Sequence, residues 1–306
     1  MAAVLAFAAG AASVAVASGC AAPPALLVAA DADRAGQPGD EGPHGALQLS
    51  RTLRVRGDRP LDVDIVAPTD DDRTVAAGPF PPVLLVQGGA VSVERYHWLA
   101  AHLASRGFVV VAPHHVADLA FFSQGDGLDA LAALRRVAGA SSSDAELADR
   151  VAAVPALAIG HSLGGVVATN AFADAADDAD VTHLVLLAAV PNPGVDVGRA
   201  DGRVLSVAGA LDGLITVDEV VAGAAEFRAP TTVAVVDDLT HFQLTDTPTD
   251  DNLAREGTRS PLTADEVRPR ALFLVDAMLL DLQGDAFGAR LLGDAALWPA
   301  GLREAR

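Results

Sequence analysis

Gly160-His161-Ser162-Leu163-Gly164 sets one hydroxyl between two glycines, each two positions away. That spacing suits a sharp strand-to-helix turn that lifts a serine clear of a sheet. A nucleophile held there occupies strained backbone, and small neighbours relieve the crowding. The run before it, Ala156-Leu157-Ala158-Ile159, is apolar, and Gly164 to Ala175 behind it has a helical pattern. A bare motif of this kind arises often by chance; the flanking strand and helix give it weight. The N-terminus of that helix adds N–H groups that favour developing negative charge.

A serine nucleophile needs a general base, and the base needs an orienting carboxylate. On such a scaffold the acid and then the histidine follow the serine, each after a later strand. Val204 to Ala208 is followed by Gly209-Ala210-Leu211-Asp212-Gly213, and Val233 to Val236 by Asp237-Asp238-Leu239-Thr240-His241. The expected constellation is therefore Ser162, Asp212 and His241. Asp212-Gly213 also reads as a turn pair. Asp237 and Asp238 are alternative acids, but they crowd the histidine and follow the wrong strand. Two backbone N–H groups are expected to hold an oxyanion. One belongs to Leu163, after the nucleophile. The other belongs to Gly89 in the loop Gln87-Gly88-Gly89-Ala90, with Ala90 as second choice.

The elements that must position these groups come next. Leu47, Leu49, Leu53 and Val55 alternate with polar residues, as do Leu61, Val63 and Ile65. Period two predicts two half-buried strands, antiparallel at one edge. Later runs are apolar without alternation, as strands buried on both faces must be. They are Val83–Val86, Phe108–Val111, Ala156–Ile159, Leu184–Leu187, Val204–Val207 and Val233–Val236. Helical patterns lie between or after them, at Glu94–Ser105, Leu128–Val137, Gly164–Ala175, Val217–Phe227 and Ala264–Leu282. Capping-box pairs stand at Ser143/Glu146, Thr216/Glu219 and Thr263/Glu266. This alternation predicts an α/β fold with a mostly parallel, eight-stranded sheet and helices on both faces. The antiparallel opening disfavours a closed (β/α)8 barrel. The sequence leaves Gln124 to Ala140 open between a cap and a crossover.

The chain has 306 residues, 51% of them hydrophobic and 4% aromatic, with a formal net charge of -19. Every one of the 21 basic residues is arginine. Such an acidic chain is a poor partner for nucleic acid, because phosphate binding needs concentrated positive charge. A single cysteine, Cys20, excludes an internal disulfide framework. Residues 1–20 are apolar and end in Ala17-Ser18-Gly19-Cys20, which resembles the lipobox of bacterial lipoprotein signals. The resemblance implies export and a membrane anchor on lipidated Cys20. It departs from the pattern in having Ala17 three positions before the cysteine and no basic residue ahead of the apolar run. Residues 21–45 read as a linker and 46–306 as one catalytic domain. His114-His115 with Asp118 stands at a strand end, but adjacent side chains diverge, so no metal site is expected there. His161 is expected to pack or to hydrogen-bond beneath the site; His97, His102 and His183 read as ordinary helix or strand residues.

Taken together, these residues resemble the α/β-hydrolase superfamily. Within it they are similar to the chlorophyllase, dienelactone hydrolase and bacterial polyester-hydrolase (cutinase-like) group. Pro82 to Gly89 and Trp98 to Pro113 look like its oxyanion strand, first helix and next strand. Gly160 to Gly165 looks like its elbow, and His241-Phe242-Gln243 like its histidine loop. The resemblance implies a serine esterase with no metal or organic cofactor. Dienelactone hydrolase uses a cysteine nucleophile, whereas this chain has Ser162. Polyester hydrolases of the group carry an aromatic residue where this chain has Gly89, so small or aliphatic esters are favoured. Phe121, Phe122 and Phe242 are candidates to line an acyl pocket, or are core. A polyester or long-chain lipid hydrolase, and a non-catalytic binding protein of the same fold, remain open alternatives.

Overall fold

Nine strands lie side by side in one sheet in the computed structural model. The described residues are 37–115, 118, 125–139, 144–174, 181–193, 195–197, 200–246 and 248–305. The strands are β1 (Gly45–Val55), β2 (Arg59–Thr69), β3 (Pro82–Val86), β4 (Val109–Pro113), β5 (Ala156–His161), β6 (Val181–Leu187), β7 (Arg203–Gly209), β8 (Thr231–Val236) and β9 (Leu302–Glu304). Their spatial order is β1-β2-β4-β3-β5-β6-β7-β8-β9. From β4 to β8 every neighbouring pair is parallel, while β1, β2 and β9 run antiparallel to their neighbours. Eight of these are the strands the sequence predicts. The ninth is three residues long, too short to show a period.

Non-alternating strands earn their pattern by being covered twice. Val83 and Leu85 of β3 enter one core, and Leu84 and Val86 enter the other. The first core is covered by α1 (His97–Ser105), α6 (Ala264–Leu282) and α7 (Ala286–Gly293). The second is covered by α2 (Asp126–Val137) and α3 (Gly164–Ala173). So α2, undecided from the sequence, is the crossover from β4 to β5. Val220 of α4 (Val217–Ala224) packs with Ala208 and Val235.

Capping decides two helix starts as expected. The Thr216/Glu219 box forms reciprocally, and at Thr263 the Glu266 carboxylate accepts the threonine N–H and hydroxyl. Glu146 opens no helix, because residues 144–150 are turns. Arg51 instead draws Asp144 and Glu146 together. A further box, Thr249/Asn252, starts α5 (Asp250–Glu256), which the sequence reading missed.

The last residues of the segment read as a linker lie against the domain. The Gly42 N–H donates to Ser105 Oγ at 2.9 Å, and the Gly39 N–H to Asp276 Oδ2 at 2.7 Å. Asp276, wholly buried, also bonds His102 Nε2 at 2.9 Å. Cys20 and the apolar leader lie outside the described residues. Among the described residues no helix is long and apolar enough to cross a membrane.

Candidate active site

All the loops that matter leave the carboxyl ends of parallel strands, where open α/β sheets gather functional groups. The elbow follows β5. Ser162 sits at φ 53, in the left-handed region that non-glycine residues avoid. Two close approaches explain its flanking glycines. A Cβ on Gly160 would stand 2.6 Å from the Gly164 carbonyl oxygen. A Cβ on Gly164 would stand 2.4 Å from the Gln87 carbonyl oxygen. Both contacts are to backbone, which cannot rotate away. The Ser162 N–H donates to the Leu187 carbonyl at 3.1 Å, which ties the turn to the end of β6.

Asp212 and His241 come from the loops after β7 and β8. His241 Nδ1 lies 2.8 Å from Asp212 Oδ2, and both side chains are buried. The other oxygen, Asp212 Oδ1, accepts the N–H groups of Leu214 and Ile215 at 2.8 Å each. Asp212 is thus both the turn residue and the histidine's partner. Asp237 and Asp238 face elsewhere, toward Arg303 and Arg270. With Nδ1 engaged by the carboxylate, Nε2 is the free nitrogen of His241. Among the described residues neither it nor Ser162 Oγ makes a hydrogen bond. Such bonds are often loose before substrate binds.

Gly89 reaches the elbow from the loop after β3. A Cβ on it would lie 2.5 Å from Leu163 Cδ1, so the loop and the turn touch. The Ala90 N–H is committed to the Asp118 carbonyl at 2.8 Å. The N–H groups of Gly89 and Leu163 make no hydrogen bond among the described residues. They are the pair the sequence reading chose. The Leu163 side chain, 42% exposed, covers the side of Gly89 where a bulky residue would stand.

Among the described residues Phe242 packs inward rather than into an open cleft. It belongs to the buried core, and its ring meets His241 edge to face at 5.1 Å. Phe121 and Phe122 lie outside the described residues.

Two supporting residues, Glu256 and Tyr96, escaped the sequence reading. Glu256, buried at the end of α5, accepts the N–H groups of His241 and Phe242 at 2.9 Å each and that of Gly213 at 3.1 Å. One carboxylate therefore holds the acid loop and the histidine loop together. Tyr96 and His161 form the second support. The Tyr96 hydroxyl accepts the Gly88 N–H at 2.8 Å and lies 2.7 Å from His161 Nδ1. The His161 ring in turn lies 4.6 Å from that of His241. Burial, and then the neighbouring His241, hold the His161 pKa well below its ordinary value. Burial raises the Tyr96 hydroxyl, so it stays protonated. A signal for His161 existed, since it lies inside the motif; Tyr96 and Glu256 carried none.

The model of the alpha/beta hydrolase family matches residues 82–249, more than half of the chain. The chain belongs to the alpha/beta hydrolase family. The match runs from β3 through the elbow and past His241, so it spans the site just described. A search of the curated proteins returns no match. Within this alpha/beta hydrolase, His114 and His115 diverge as expected. His115 turns toward Asp126 at 3.7 Å. His114 has company the sequence reading denied it, because Asp64 and Glu94 are gathered beside it. That cluster is the place among the described residues where side chains could hold a metal ion.

Proposed function

We propose that this hydrolase cleaves carboxylic esters, small or aliphatic acyl esters above all, through a covalent acyl-enzyme. The observation that carries the reading is the 2.8 Å contact of His241 Nδ1 with Asp212 beside a serine held at φ 53. Ser162 Oγ attacks the carbonyl carbon while His241 Nε2 takes its proton. The Gly89 and Leu163 N–H groups receive the developing oxyanion. Collapse of the tetrahedral intermediate breaks the ester C–O bond, and His241 returns the proton to the leaving alcohol. Water, deprotonated by the same nitrogen, then frees the acid and restores Ser162. Asp212 fixes the imidazole and stabilises its charged form. No step calls for a cofactor.

The resemblance to chlorophyllase, dienelactone hydrolase and the cutinase-like group supports an ester over other acyl substrates. The preference for aliphatic groups rests on Gly89 and on Leu163, which offers an apolar, exposed surface beside the oxyanion position. An aromatic clamp there would add about 0.5–1.5 kcal/mol per stacked pair, and this chain lacks it. A fluorophosphonate probe should label the protein once, and Ser162→Ala should lose labelling and p-nitrophenyl ester turnover together. Turnover surviving in Ser162→Ala would refute the mechanism. A panel from acetyl to long-chain esters and polyester films reads the acyl preference. Export and lipidation are proposed from the leader alone. Palmitate incorporation that persists in Cys20→Ala would remove that proposal.

A further inference from the structure

The geometry points to a divalent transition-metal site, best suited to Zn2+, built from Asp64, Glu94 and His114. It stands apart from Ser162 and does not depend on the esterase reading. Asp64 lies on β2, where it pairs with Ala112 of β4. His114 follows the last residue of β4, and Glu94 and His97 belong to the segment that runs from the oxyanion loop into α1.

Ligand atoms of Asp64, Glu94 and His114 all lie within 4.8 Å of one another. Asp64 Oδ2 is 3.4 Å from His114 Nε2 and 3.8 Å from His97 Nε2. Neither pair is hydrogen bonded. Ligands about 2.1 Å from a tetrahedral zinc ion lie about 3.4 Å apart, which is the Asp64–His114 separation; His97 lies farther out and outside the cluster. The Asp64 side chain is only 4% exposed. Its Oδ1 is capped by the Ser50 hydroxyl at 2.9 Å, which leaves Oδ2 free on the side of His114. The cluster opens onto a cleft of about 360 Å³ lined also by Asp62 and Thr52, so an ion has a way in. The nearby Arg51 is already engaged with Asp144 and Glu146 and does not neutralise the site. An imidazole beside two carboxylates, Asp64 and Glu94, favours zinc over calcium or magnesium, which prefer all-oxygen shells.

The location gives such an ion a consequence. The 3₁₀ turn Val93–Tyr96 carries Glu94 toward the cluster and Tyr96 toward Gly88. An ion that ties Glu94 to Asp64 of β2 and His114 at the end of β4 would fasten the turn whose tyrosine holds the loop carrying Gly88.

The test uses the full chain stripped with a chelator and titrated with Zn2+ by calorimetry, then with Co2+ by visible absorption. One equivalent should bind, Co2+ should give the intense bands of tetrahedral ligation, and Zn2+ should raise the Tm. His114→Gln and Glu94→Gln should each weaken Zn2+ binding by about tenfold or more. Glu94 is exposed, so its variant keeps the test readable if His114→Gln folds poorly. Millimolar Mg2+ should not compete. The absence of a saturable Zn2+ site, or equal affinity in the parent and both variants, would overturn the assignment.

Discussion

Replacing Glu256 tests whether one buried carboxylate positions the catalytic loops. Its Oε1 accepts the N–H groups of Gly213 and His241, and its Oε2 that of Phe242. Glu256→Ala strands the buried donors of His241 and Phe242 where water does not replace the acceptor. Each such donor costs about 1–3 kcal/mol, so the expected loss is about 2–6 kcal/mol. Glu256→Gln is milder for a specific reason. The amide keeps one oxygen, which can still serve Gly213 and His241, and turns its NH2 toward the Phe242 N–H. One bond of three is lost, at about 1–3 kcal/mol. Both variants should lower kcat more than they raise KM, because Glu256 touches loop backbone and not the acyl pocket. A displacement of His241 of about 1 Å would cost about a hundredfold in rate. Urea unfolding measures the first effect and p-nitrophenyl acetate kinetics the second. If Ala and Gln destabilise equally, the count of acceptors is wrong. If Glu256→Ala loses stability yet keeps kcat within about twofold, Glu256 does not position the histidine.

Further outcomes follow from the same contacts. Tyr96→Phe strands the Gly88 N–H and His161 Nδ1 together, so it should lower stability by about 2–6 kcal/mol and slow turnover; unchanged urea midpoints and kinetics would remove this support from the site. Gly164→Ala drives a Cβ into the Gln87 and Val86 carbonyl oxygens and should abolish activity or soluble expression, whichever an expression trial meets first. Asp281, half-buried beside His183 and Arg203, is penalised by that burial, yet their hydrogen bonds hold its pKa below the usual carboxylate range. Its stabilisation is therefore complete above about pH 3.9, the unfolded value, and fades as pH falls toward the depressed folded value. Asp281→Asn should be less stable at pH 7 and lose that part of the acid dependence, as thermal unfolding against pH would show. His161 is depressed too, so the native state resists its protonation while the unfolded chain accepts it. Stability should begin to fall as pH drops below about 6.5, and His161→Gln should flatten that limb; an unchanged profile would contradict the burial of a neutral imidazole.

The sequence determined what is local or repeated along the chain. Strand periods report burial on one face or two, and that alone predicted the antiparallel edge and the doubly covered strands. The turn around Ser162 is a five-residue property, legible because glycines mark where backbone approaches backbone. The positions of Asp212 and His241 followed from the order of strands. Tertiary structure decided the choice among Asp212, Asp237 and Asp238, since that depends on which way each loop folds after its strand. It alone placed Glu256 under two loops, Tyr96 between Gly88 and His161, and Asp64 beside His97 and His114. These are side-chain contacts over long sequence separations, and glutamate or tyrosine in a helix or turn carries no local mark of the partner it meets. Phe242 shows the same limit. Its sequence position beside the histidine was plain, and only packing showed that its ring belongs to the core rather than to a substrate pocket.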